Sequence, residues 1–235
     1  MRLALAILLL LAATAGAEEA GRLRSEAGVL RGPAAEGALV WLPGYTREGT
    51  PAAPDWVAGL RGWDLWRFDR GAADPLEGGA IALAEGAAAL RARGYRRVAL
   101  LGESRGAFIA LVALREAGLA DAVILAAPAA HGRSPERRAQ ALADYALALA
   151  DARPDATARI ALFLFEGDGW DPNPPRRAEL FREAAGRLGM ATLLVDRPDA
   201  PTGHGGLQEP AFAARFGGCM TAFLDFGRAP PSSCP

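Results

Sequence analysis

The chain contains no lysine; all 26 of its basic residues are arginines. A Schiff-base lysine and the lysine of a phosphate-binding loop are thereby excluded. Histidine and cysteine are almost as scarce. His131, His204, Cys219 and Cys234 are the whole supply, and they are too scattered to suggest a zinc site, so neither metal nor cofactor is expected. The charges nearly cancel, 26 basic against 27 acidic, with no cluster of one sign large enough for a nucleic-acid groove. Beyond the first residues no run approaches the roughly 18 apolar residues of a membrane span. Metal-independent nucleophilic chemistry survives these exclusions.

The N-terminus carries its own signal. Arg2 is followed by an apolar run from Leu3 to Ala13, then by Ala15-Gly16-Ala17 and Glu18-Glu19. This pattern predicts a secretory signal peptide over 1–17, removed by cleavage, and a periplasmic or secreted protein that is not held at a membrane. No cysteine follows the cleavage site to carry a lipid. Residues 18–235 then suit one α/β domain with a sizeable core. In an oxidising compartment Cys219 and Cys234 are expected to pair, pinning the Pro-rich tail onto the last helix. Closing a loop of about 15 residues is worth about 3 kcal/mol on the chain-entropy estimate.

Apolar runs and helix-compatible stretches alternate along the chain. A short edge strand is expected at Gly28 to Arg31, and strands at Ala38 to Leu42, Trp63 to Phe68, Val98 to Leu101, Ala122 to Ala127, Arg159 to Phe165 and Ala191 to Val195. Helices are expected near Asp55 to Leu60, over Gly79 to Arg93, from the Ser104 turn to about Gly118, over Ser134 to Asp151, over Pro174 to Leu188 and over Glu209 to Phe226. Ser134-Pro135 reads as an N-cap followed by a first-turn proline, and Gly94 and Gly189 as helix stops. The strands are continuous apolar runs, which predicts a mostly parallel sheet with helices on both faces. The one candidate insertion, Ala129 to Thr157, is about one helix long, so any cap is minimal.

One stretch organises the rest: Arg96 to Arg115, RRVALLGESRGAFIALVALR. A buried strand runs into Gly102-Glu103-Ser104-Arg105-Gly106 and then directly into a helix. This is the G-x-S-x-G nucleophile elbow in its required strand-turn-helix context. Gly102 and Gly106 permit close approach of strand and helix while Ser104 takes a strained conformation. A nicotinamide site is disfavoured, because Ser104 stands where G-x-G-x-x-G needs glycine and the third glycine is missing.

An elbow serine needs a base, and the base needs an orienting acid, both at carboxyl ends of strands. His204, in Pro201-Thr202-Gly203-His204-Gly205-Gly206 after the last strand, is the leading base; His131, after an earlier strand, is the alternative, or lines the rim. The acid comes from Glu166-Gly167-Asp168-Gly169-Trp170-Asp171. Asp168, between glycines, is preferred; Asp171 is the alternative, and the one not used is expected to be a solvated turn residue.

The order Ser104, Asp168, His204 resembles that of the α/β-hydrolase superfamily, and most closely its small-lid dienelactone-hydrolase-like and esterase members. The resemblance spans roughly Ala38 to Phe226 and rests on Leu42-Pro43-Gly44-Tyr45, the elbow, the Asp168 loop and Gly203-His204-Gly205. It implies the α/β-hydrolase fold and a serine hydrolase acting on a small-molecule ester. The oxyanion would be held by the backbone N–H of Arg105, and the resemblance points to that of Tyr45 as the second donor. Two departures stand out. Dienelactone hydrolases carry cysteine at the elbow where this chain has Ser104, and the family's frequent His-Gly in the oxyanion loop is Pro43-Gly44 here. A peptidase, amidase or acyltransferase on the same triad, or a binding protein retaining the scaffold, are the competing readings. Arg105 either holds a substrate carboxylate or pairs with an acid such as Glu103. Tyr45, Trp170 and Phe108 are candidate pocket walls. Nothing in the sequence separates a monomer from a homodimer.

Overall fold

A computed structural model describes residues 19–20, 22–26, 30–45, 51–69, 75–155 and 157–235. The signal-peptide stretch, residues 1–17, lies outside them. Among the described residues the strands are β1 (Glu19–Ala20), β2 (Leu23–Ser25), β3 (Gly37–Leu42), β4 (Trp63–Phe68), β5 (Val98–Glu103), β6 (Ala122–Ala126), β7 (Arg159–Leu164) and β8 (Ala191–Asp196). The helices are α1 (Leu76–Ala92), α2 (Arg105–Ala113), α3 (Pro135–Asp151), α4 (Pro174–Leu188) and α5 (Pro210–Phe223), with a 3-10 turn at Asp55–Gly59.

All eight strands join one sheet in the order β1-β2-β4-β3-β5-β6-β7-β8. β3 to β8 are parallel; β1 and β2 add an antiparallel edge beside β4. Every residue of β3, β5, β6 and β7 is buried, as continuous apolar runs predict for strands covered on both faces. Alternation sorts their side chains. Val40, Leu42, Val98 and Leu100 face the layer built from α1 to α4, whereas Leu39, Trp41, Ala99 and Leu101 face α5 and the Asp55–Gly59 turn. α3 buries Ala141, Tyr145, Ala148 and Leu149, so it belongs to the covering layer and does not cap the site.

The strand order creates a switch point. From β3 the chain moves outward to β4, then returns to the other side of β3 as β5 and proceeds through β6, β7 and β8. Loops leaving β3 and β5 therefore diverge, opening a crevice at their carboxyl ends, where ligands bind in such sheets.

Several boundaries differ from expectation for identifiable reasons. The edge is built by β1 and β2. Of the expected 28–31 strand, residues 28–29 lie outside the described set and Leu30 and Arg31 are not in a strand. α2 stops at Ala113, short of Gly118. α5 stops at Phe223, where the mostly buried Arg159 donates to the carbonyls of Phe223 (2.8 Å), Asp225 (3.0 Å) and Arg228 (2.7 Å), drawing them away from helical partners. The expected cap of α3 is present, Ser134 Oγ accepting from the N–H of Arg137, and Asn173 likewise caps α4 ahead of Pro174. No helix among the described residues is long and apolar enough to cross a membrane.

Cys219, on α5, is bridged to Cys234, 15 residues on. Replacing both by serine is expected to cost about 3 kcal/mol of stability in urea unfolding, chiefly by freeing the unfolded chain, while leaving the sheet unaltered by circular dichroism.

Candidate active site

Ser104 sits between β5 and α2 with φ 53° and ψ −119°, a conformation that L-residues rarely adopt. The surroundings hold it there. Its N–H donates to the Ala126 carbonyl on β6 (2.9 Å), and its carbonyl accepts from Phe108 and Ala129 (both 3.1 Å). The flanking glycines are sterically required. A Cβ on Gly106 would lie 2.0 Å from the Leu42 carbonyl oxygen, and one on Gly102 would lie 2.6 Å from the Cα of Ala107. Gly44, in the loop after β3, also comes near, though less tightly; its Cβ would stand 3.2 Å from that of Ser104.

His204 reaches this hydroxyl. Its Nε2 is 2.8 Å from Ser104 Oγ, and its Nδ1 is 2.9 and 3.0 Å from the two oxygens of Asp168. An ionised carboxylate only accepts, so Nδ1 carries the proton and Nε2 presents its lone pair to the serine. Two loops are aligned by the N–H of Gly203, which donates to the Glu166 carbonyl (2.7 Å). Asp168 is 8% exposed, and its Oδ1 also accepts from the Trp170 N–H (2.8 Å). The Trp170 ring lies 5.7 Å from the imidazole.

The other candidates fall elsewhere. Asp171 is buried, not a solvated turn residue. Its Oδ1 accepts from the N–H of Asn173 (2.9 Å) and lies 3.6 Å from Nε of Arg177, which is itself fully buried. Burial pushes the Asp171 carboxyl up and that of the Arg177 guanidinium down, each partly offset by the other's charge. His131 pairs with Asp144 (2.7 Å) and packs edge-on against Phe108. A cavity of about 640 Å³ opens over Ser104 and His204, walled by Tyr45, Arg105, His131 and Trp170 among others. His131 and the two aromatics thus line it, whereas Phe108 lies beneath. Arg105 opens α2, where backbone N–H groups point out of the helix end, and its guanidinium lies 3.4 Å from the Ala130 carbonyl.

Glu103, expected from the sequence only as a partner for Arg105, lines the same cavity, buried, with Oε2 accepting from Gln208 (3.1 Å) and Oε1 without a hydrogen-bond partner among the described residues. Desolvation raises its pKa, opposed first by the Gln208 hydrogen bond and then by attraction to the His204 ring when that ring is protonated. The native state thus binds this proton more tightly than the unfolded chain. Stability from this group is present at low pH and is lost as pH climbs out of the ordinary glutamate range. Glu103→Gln is therefore expected to be more stable than the parent at neutral pH, the gap closing toward about pH 4, in paired urea melts.

No family model and no curated protein matches the sequence. Solved structures do match in fold. An esterase of Pyrococcus furiosus aligns over 82% of this chain and 82% of its own, with TM-score 0.57 and 14% identity. A puromycin-hydrolyzing peptidase of Mycobacterium tuberculosis aligns over 86% of this chain but 37% of its own (TM-score 0.58, 16% identity). An acylaminoacyl peptidase aligns over 80% and 36% (TM-score 0.53, 13% identity). The parallel sheet with its β3/β5 switch point, the strained serine after β5 and these likenesses agree: the chain has the α/β-hydrolase fold.

Proposed function

We propose that this protein is an exported serine hydrolase that cleaves carboxylic esters of small molecules through Ser104, His204 and Asp168. The observation that carries the reading is the unbroken hydrogen-bonded line from Asp168 through His204 to Ser104 Oγ, at 2.9 and 2.8 Å, on the floor of an open cavity. Its order and tautomer are those that acyl transfer requires. As Ser104 Oγ attacks the carbonyl carbon, His204 Nε2 takes its proton. Asp168 keeps the imidazole oriented and stabilises its positive charge. The oxyanion is received by the backbone N–H groups of Arg105 and Tyr45, each such donor being worth about 3 kcal/mol in the transition state. His204 then protonates the departing alcohol. Water, deprotonated in turn by His204, releases the acid from Ser104.

An ester is favoured over a peptide bond by the extent of the likenesses. The Pyrococcus furiosus esterase is matched over most of its length, while the two peptidases are matched over little more than a third of theirs. Export rests on the N-terminal pattern and accords with the Cys219–Cys234 bridge.

Ser104→Ala is expected to reduce hydrolysis of a p-nitrophenyl ester to background and to abolish labelling by a fluorophosphonate probe, with the circular dichroism spectrum unchanged. Parent-level turnover in that variant would remove the assignment. Asp168→Asn is expected to lose about 10⁴-fold in kcat, far more than Asp171→Asn. The reverse ranking would transfer the acid's role to Asp171. A panel of esters, amides and acyl acceptors separates the ester hydrolase from the other chemistries on this triad.

A further inference from the structure

Arg177, in the first turn of α4, is 0% exposed and contributes nothing to the cavity wall. Its position is expensive. Among the described residues only one of its nitrogens, Nη1, makes a hydrogen bond, to the Pro128 carbonyl; Nε and Nη2 have no hydrogen-bond partner there. A buried guanidinium so sparsely bonded is poor evidence for a stabilising role, since an apolar side chain of similar volume avoids the desolvation. Its contacts suggest another purpose.

The peptide unit between Pro128 and Ala129 is held at both ends. Its carbonyl takes the Arg177 hydrogen bond, and its N–H donates to the Ser104 carbonyl (3.1 Å). The residue just before it, Ala127, has φ 45°, a second strained non-glycine residue close to the elbow. On its other side Arg177 pairs with Asp171 (3.6 Å), whose N–H donates to the carbonyl of Asp168 (3.2 Å) and so closes the turn that carries the triad acid. The guanidinium also lies over the Tyr145 ring of α3, 4.8 Å from its centroid. One side chain is therefore wired to the backbone of the proposed nucleophile through one loop and to the turn of the proposed acid through another.

We propose that Arg177 is a positioning residue that sets the distance between the Ser104 elbow and the Asp168–His204 pair by clamping the loops after β6 and β7. This rests on the triad reading above. Strain at Ser104 and Ala127 persists only where neighbouring structure over-determines it, and the clamp supplies that constraint from behind the site. The triad is divided between β5, which brings the serine, and the loops after β7 and β8, which bring the acid and base.

The test is the double variant Arg177→Met with Asp171→Asn, which removes both charges and leaves no lone buried ion. With the fold intact by circular dichroism, kcat is expected to fall about a hundredfold, as displacement of reacting groups by about 1 Å does. KM should stay within about twofold, because neither substituted side chain lines the cavity. Fluorophosphonate labelling of Ser104 should slow in parallel, and the downfield Nδ1 proton resonance of His204 should broaden or vanish. Parent-like kcat and resonance in the folded double variant overturn the proposal. Should that variant not fold, Arg177→Lys decides. It keeps the charge opposite Asp171 but not the planar fork that reaches Pro128, and it is expected to show the same split of kcat from KM; parent-level kcat overturns the proposal. If the parent protein neither hydrolyses esters nor labels at Ser104, the failure belongs to the hydrolase reading. The His204 resonance still reports whether Arg177 holds the histidine against Asp168.

Discussion

The closest approach on which this structure depends is that of α2 to the end of β3, at Gly106. A single added carbon there would collide with the Leu42 carbonyl at 2.0 Å. Because the helix can start that near the sheet, the turn before it is forced tight, and Ser104 is left at φ 53°, lining the cavity above the switch point. The loops after β3, β6, β7 and β8 need only deliver their parts to a hydroxyl whose place is already fixed.

Those loops are held mainly by backbone hydrogen bonds between them. The Ala129 N–H meets the Ser104 carbonyl, and the Gly203 N–H meets that of Glu166. Gly206 lies so flat on the Phe165 ring that a Cβ would come within 2.9 Å of it. Backbone groups at strand ends have no ladder partner, so pairing them with the next loop both satisfies them and aligns the side chains they carry. The arrangement spans five strands of the sheet, and its precision is collective.

Besides Asp168, three buried charged groups sit in or behind the site: Glu103, Asp171 and Arg177. Burial works against the charged form of each of these three, and each is only partly compensated by its neighbours. Charges placed at such cost cluster where electrostatics serve a reaction. Elsewhere arginines such as Arg24, Arg176 and Arg182 lie in exposed or half-exposed ion pairs, and Arg97 and Arg159 lie over the Phe226 ring at 4.0 and 4.3 Å.

Local chemistry made much of this legible in the sequence. Buried strands announced themselves as apolar runs, Ser134 capped a helix ahead of a proline, and two glycines flanking Ser104 between a strand and a helix admitted one local geometry. Preferring His204 and Asp168 over His131 and Asp171 followed from where they fell relative to the last strands, and these are the side chains that meet at Ser104. What the sequence by itself determined was therefore the order of elements, the elbow and the order of the three polar groups, because sterics and periodicity act over a few neighbouring residues. Tertiary structure alone decided that Asp171 is buried against Arg177, that Glu103 loses its water beside Ser104, and that α5 ends where Arg159 collects its carbonyls. Desolvation depends on what packs around a group, and here the packing comes from residues up to a hundred positions away.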